Sequence, residues 1–140
     1  MNEYDDLPRS EFAFPGPLRD RLVSAILDGS KTSTSSIAAE YEREDEPFPQ
    51  VGARQVVVDS DREAVAVIET TAVQHVRLAL VPLAHARDEG EGYSTVAEWR
   101  DGHERFWHSE EMRNFLGDPF FTVNDDTMMV LERFRVIEIL

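Results

Sequence analysis

The chain has 140 residues, is 41% hydrophobic, and carries 28 acidic against 14 basic side chains, a formal net charge of −14. Its length suits one domain with a core of its own, and its charge lacks the basic footprint that tight non-specific nucleic-acid binding needs, leaving room only for a nucleoside or short RNA element in one local pocket. The absence of cysteine excludes a disulfide framework and a thiolate metal site, and no apolar run approaches the ~20 residues of a membrane helix.

No basic stretch followed by an apolar one opens the chain, so a cytoplasmic protein is expected. Residues 1–11, MNEYDDLPRSE, are expected to form a loose acidic tail, and residues 12–140 a single domain. Pro17 suits the first position of a helix. Leu18, Leu22, Val23, Ile26 and Leu27 then recur at helical spacing, and Gly29 is a C-terminal stop. Residues 40–52, with two prolines, read as a charged loop. "RQVVVDS" and "EAVAVIETTAVQHVRL" are rich in β-branched residues. They read as strands joined through "DSDRE" as a turn, with a bend near Thr70–Thr71 in the longer one.

The segment from Pro82 to Asp118 is expected to be mostly helical with one Gly-rich break. Thr95 followed by Glu98 is a capping-box signature, after which Val96, Trp99, His103, Phe106 and Trp107 share a face. Ser109 caps a further short helix. "TMMVLERFRVIEIL" closes the chain as a strand. A strand that returns beside earlier ones implies an α+β fold, a mixed sheet or small barrel with helices packed on it.

One lysine, Lys31, sits among six hydroxyl side chains in "DGSKTSTSS", just past the first helix. A hydroxyl becomes a nucleophile when a base takes its proton, and a desolvated lysine can do so. Lys31 and Thr34 are three residues apart and can face the same way on a loop. A solvated Ser/Thr-rich turn is the other reading. In "ARDEGEG", Glu89 and Glu91 flank Gly90 after Asp88. A carboxylate there could orient a lysine or pass a proton, or the stretch is an acidic turn. The spacing fits no calcium loop. His85 and Glu89 are i and i+4, without the H-E-x-x-H pattern of a zinc site. Trp99 and Trp107 are expected in the core rather than stacked on a base.

"PLRDRLVSAILDGSKTSTSSI", "PFPQVGARQVVVDSDREAVAVIETTAVQHV", "AHARDEGEGYSTVAEWRDGHERFW" and "VLERFRVIEIL" together resemble the ASCH domain family from about Phe14 to Leu140. The resemblance implies a PUA-like small mixed β-barrel with flanking helices and a cleft proposed to bind RNA or a nucleotide. Small bacterial members are similar to amidohydrolases that remove the acetyl group of N4-acetylcytidine, with a lysine, a threonine three residues on and a later glutamate as the catalytic set. "K-T-S-T" carries this over to Lys31 and Thr34, and "H-A-R-D-E" to Glu89. Thr34 would attack the acyl carbonyl, Lys31 would serve as its base and then as proton donor to the leaving amine, and Glu89 would hold Lys31. Thr32, Ser33, Arg19, Arg21, Glu91 and Tyr93 are the expected substrate contacts. No cofactor and no metal is implied. The alternative is an RNA- or nucleotide-binding module, or a ribonuclease as described for other members, using the same cleft. The helical stretch "EWRDGHERFWHSEEMRNFLGDPF" is longer than in the smallest amidohydrolases and is expected to change the substrate or close the pocket. The partner is expected to be a small nucleoside-type molecule, with no membrane; the oligomeric state stays open.

Overall fold

The computed structural model describes residues 4–140, so the first three residues of the expected tail lie outside it. Arg9–Ser10 of that segment form a short strand, β1. Helix α1 spans Pro17–Asp28, with Pro17 in its first turn, and Gly29 ends it in the left-handed conformation at φ 88°, where a glycine carries no Cβ penalty. The chain leaves α1 directly into strand β2, Ser33–Ile37. The expected loop at residues 40–52 begins instead with a helix, α2, Ala38–Glu44. Its Ala, Glu and Arg residues are good helix formers, and Glu40 accepts the Ile37 N–H at 2.8 Å to cap it.

Strands β3 (Arg54–Val58) and β4 (Ala64–Arg77) form the expected hairpin. Asp59 closes its turn by accepting the N–H groups of Asp61 and Glu63, each at 2.9 Å. The bend in β4 falls where its register shifts, between Thr70 and Ala72. Helices α3 (Leu83–Asp88), α4 (Val96–Trp107) and α5 (Glu110–Leu116) follow. Thr95 and Ser109 cap the last two through the N–H groups of Glu98 and Met112. Strand β5, Met128–Ile139, ends the fold. No helix among the described residues is long and apolar enough to cross a membrane.

The sheet order is β1-β3-β4-β5-β2, with β1 parallel to β3 and every other pair antiparallel. The α+β class is as expected, but the sheet does not close into a barrel. Edge strands β1 and β2 never meet. β1 is two residues long, and the end of α3 occupies the approach to β2, where Thr32 donates its N–H to the Asp88 carbonyl at 2.8 Å.

Two apolar clusters hold the sheet. The larger packs Trp99, Trp107 and Met112 of the helices against Met129 and Leu131 of β5. The smaller packs Val23 and Ile26 of α1 against Val57, Ile68 and Phe134. Both tryptophans are core residues, at 0% and 1% exposure, and full burial of a large apolar side chain stabilises by about 1.5–3 kcal/mol. β5 therefore belongs to both clusters.

Candidate active site

Side chains alternate along a strand, and this sorts the hydroxyls of β2. Ser33 and Ser35 face α3. Ser33 donates to the His85 carbonyl at 2.9 Å, and Ser35 donates to Glu89 Oε2 at 2.7 Å. Thr34 and Ser36 point to the opposite face, Thr34 in register with Glu132 of β5.

Lys31 and Glu89 are both buried, at 2% and 1% exposure. Lys31 Nζ lies 3.7 Å from Glu89 Oε1 and donates to the carbonyls of Ser33 (2.8 Å) and Glu89 (3.3 Å). These acceptors suit the ammonium form. The stem of Lys31 also borders a recess of about 300 Å³ between α1 and β5, floored by Ile26, Phe134, Val136 and Ile139.

Glu89 is the hub. Oε2 accepts from Ser35 and from the Trp99 indole N–H at 2.6 Å, and Oε1 lies 3.2 Å from His103 Nε2. His85, one helical turn before Glu89, puts Nε2 at 2.8 Å from Ser35 Oγ and 3.4 Å from Glu89 Oε2. Since the Ser35 proton goes to Glu89, His85 Nε2 must bear the hydrogen it shares with Ser35. Burial pushes the Glu89 carboxyl up, but hydrogen bonds from His103 and His85 and the charge of Lys31 overcome it and hold the group well below the usual carboxylate range.

Gly90 sets how closely this segment approaches β2. Its φ is 75°, and a Cβ there would stand 2.6 Å from the Ser30 carbonyl oxygen and 2.9 Å from Lys31 Cα. Only glycine fits that backbone contact.

Three of the expected contacts lie near one another beside this cluster. Glu91 and Tyr93 are half-buried, and the charge of Arg21 acts on both. Burial raises the Glu91 carboxyl and, with Glu91 beside it, the Tyr93 phenol. Tyr93 lies over Gly102 of α4, where a Cβ would collide with its hydroxyl. The other expected contacts are placed differently. Arg19 is 1% exposed, and its guanidinium binds the carbonyls of Phe12, Ala13 and Asp59 and the Glu11 carboxylate, so it braces the chain before α1. Ser33 is a buried clamp, and Thr32 is exposed. Thr34 makes no side-chain hydrogen bond with a described residue and does not meet Lys31 or Glu89.

Glu89, Glu91 and His103 bring three oxygen or nitrogen atoms within 4.8 Å of one another. The Lys31 ammonium already faces Glu89, and His103 is bonded to Glu89 directly, so these side chains hold one another as ion-pair and hydrogen-bond partners. His103, His85, Ser35 and Trp99 were not singled out for this site in the sequence. The signal for His103 was its position one turn after Trp99, on the helix that follows the Gly-rich break after Glu89.

A mixed α+β domain with a buried lysine–glutamate pair at the edge of its sheet is the class of protein this defines. The ASCH domain model matches residues 11–138, and the chain belongs to the ASCH domain family. An ASCH domain from Lactobacillus crispatus JV V101 is similar in structure at TM-score 0.78 and 29% identity, covering 96% of this chain and 81% of that one. A protein from Enterococcus faecalis V583 is similar at TM-score 0.73 and 28% identity, covering 85% and 68%. An ASCH protein from Zymomonas mobilis, at TM-score 0.50 and 12% identity over 86% and 67%, shares the fold alone. No curated protein matches the chain.

Proposed function

We propose that the protein is an amidohydrolase acting on a small acylated nucleoside, with N4-acetylcytidine as the first substrate to try. The observation that carries this reading is the Lys31–Glu89 pair, held out of water with a serine hydroxyl hydrogen-bonded to the same carboxylate. An exposed loop lysine would have no such arrangement. Lys31 serves as base and then protonates the leaving amine. Glu89, with its proton affinity held down, anchors Lys31 and the hydroxyl rather than serving as the base. The resemblance assigns the nucleophile to Thr34; the geometry favours Ser35, on the face of the site. Attack on the acyl carbon would form a serine ester and release the amine, and water would then free the acid. β2 also offers an oxyanion donor. The Thr32–Phe134 pair is hydrogen-bonded, so the alternate residues Ser33 and Ser35 turn their backbone groups away from β5.

A second reading, a nucleotide- or RNA-binding domain without chemistry, is favoured by one observation: Lys31 and Glu89 are almost fully buried in the resting structure. One experiment separates the two. The protein is incubated with N4-acetylcytidine and cytidine is followed by chromatography, with Lys31→Ala, Thr34→Ala, Ser35→Ala and Glu89→Ala alongside. Turnover lost in Lys31→Ala and Glu89→Ala supports the hydrolase. Turnover unchanged in both overturns it. No turnover by the parent, with RNA binding that falls as salt rises, establishes the second reading.

A further inference from the structure

The cluster around Glu89 contains a group that the proposed reaction leaves unused. His103 Nδ1 lies 2.8 Å from the Trp99 carbonyl oxygen. A carbonyl only accepts, so Nδ1 carries a hydrogen. The other nitrogen, Nε2, lies 3.2 Å from Glu89 Oε1 and 3.6 Å from Glu91 Oε2. A bare lone pair facing two carboxylate oxygens is repulsive, whereas an N–H is attractive. Both ring nitrogens therefore call for a hydrogen. The charges agree. Within the cluster Glu89 and Glu91 contribute two negative charges and Lys31 one positive, while Arg21 acts on Glu91 from an exposed, solvent-screened position, so a neutral imidazole leaves one unbalanced negative charge in the half-buried site and an imidazolium leaves none.

We propose that His103 is held as an imidazolium and is the proton gate of Lys31, passing protons between the buried pair and solvent through Glu91. The proposal rests on the hydrolase reading for its use, but not for its chemistry. In the outward direction, the 3.6 Å separation from Glu91 closes to hydrogen-bond distance, the His103 Nε2 proton moves to the half-buried Glu91, and from there it passes to water. Lys31 Nζ, 3.7 Å from Glu89 Oε1, then closes on that oxygen and passes its proton through it to the freed Nε2, 3.2 Å away. His103 is again an imidazolium, Lys31 is a neutral amine able to accept the proton of the attacking hydroxyl, and one proton has left the site.

The groups around His103 are consistent with this, with Trp107 packed on the ring at 5.4 Å between centres and the exposed Arg21 of α1 acting on Glu91. Glu89 and Glu91 face it from the end of α3, with Lys31 and His85 behind Glu89. Tyr93 lies at 6.1 Å between ring centres, and the Trp99 ring stacks on it at 4.4 Å. Burial pushes the imidazole down, but its bond to Glu89 and the charges of Glu89 and Glu91 raise it above its ordinary value. His103 acts through Lys31 and is a positioning residue.

The test is nitrogen NMR of the imidazoles in the full-length protein, which needs no substrate. The expected result is a His103 ring protonated at both nitrogens at pH 7. Glu91→Gln is expected to lower its midpoint by on the order of one pH unit. A ring protonated only at Nδ1 at pH 7, or a midpoint unmoved by Glu91→Gln, overturns the proposal whatever the protein hydrolyses. If the parent turns over N4-acetylcytidine, His103→Gln is expected to lower kcat about tenfold or more at pH 7 with less change in KM, and to alter the pH profile. A parallel pH profile of unchanged shape would instead mean a purely structural role and would overturn the gate.

Discussion

Thr34 stands in register opposite Glu132, while the neighbouring Ser35 donates its hydroxyl proton to Glu89 on the other face of the sheet. One step along a strand decides which hydroxyl belongs to the site. Ser35→Ala is therefore expected to abolish turnover and to lower stability by about 1–2 kcal/mol, because Glu89 loses a buried donor. Thr34→Ala is expected to change stability by less than about 0.5 kcal/mol and to leave turnover within a few-fold. Loss of activity in Thr34→Ala with a normal melting curve would return the nucleophile to Thr34.

Removing one member of the buried ion pair should be far worse than removing both. Glu89→Gln strands the Lys31 ammonium among carbonyls and is expected to cost about 3–5 kcal/mol. Adding Lys31→Met to that variant should recover a large part of the loss. Thermal or urea melts of the two variants check this, and a double variant no more stable than Glu89→Gln alone would show that the pair is not what holds the segment.

Gly90 predicts a change transmitted through the backbone. Gly90→Ala would place a Cβ on the Ser30 carbonyl at a positive φ, with an expected loss of about 2 kcal/mol or more. The strand and the Glu89 segment must separate to make room. The Trp99 indole proton, bonded to Glu89 at 2.6 Å, reports it, and its resonance is expected to move toward that of an unbonded indole.

Glu40 makes the stability depend on pH. Burial raises its carboxyl from 4.5 to about 7 against the opposing Ile37 N–H. The unfolded chain then releases this proton first as pH rises, so its contribution turns unfavourable through the window from 4.5 to about 7. Glu40→Gln keeps an acceptor for Ile37 and removes the charge. It is expected to raise the Tm at pH 8 and leave it unchanged at pH 4. An equal change at both values would place the effect elsewhere.

The sequence showed α1 with its Gly29 stop, the β3–β4 hairpin, the bend at Thr70 and the caps at Thr95 and Ser109, because each has a local cause. β2 was hidden because "STSSI" puts polar side chains on both faces and carries no hydrophobic alternation. The short helix α2 was hidden by its charge. Lys31 and Glu89 were candidates from their residue types and from the resemblance, and the fold brings them to 3.7 Å of each other. Arg19 looked like a free cation and is a brace, a difference that rests on carbonyls of residues 12, 13 and 59 that only the fold brings together. Ser35 and His103 depend in the same way on the register of an edge strand and the docking of α4.

β5 lends Met129 and Leu131 to one apolar cluster and Phe134 to the other, and Arg133 between them reaches Asp88 at 2.8 Å. Neither half of the molecule can come apart while that strand stays paired. Unfolding should thus be a single cooperative event in which amides of the two halves exchange with deuterium at one common rate under conditions of global opening, and in which damage near α1 is felt as loss of order around Glu89.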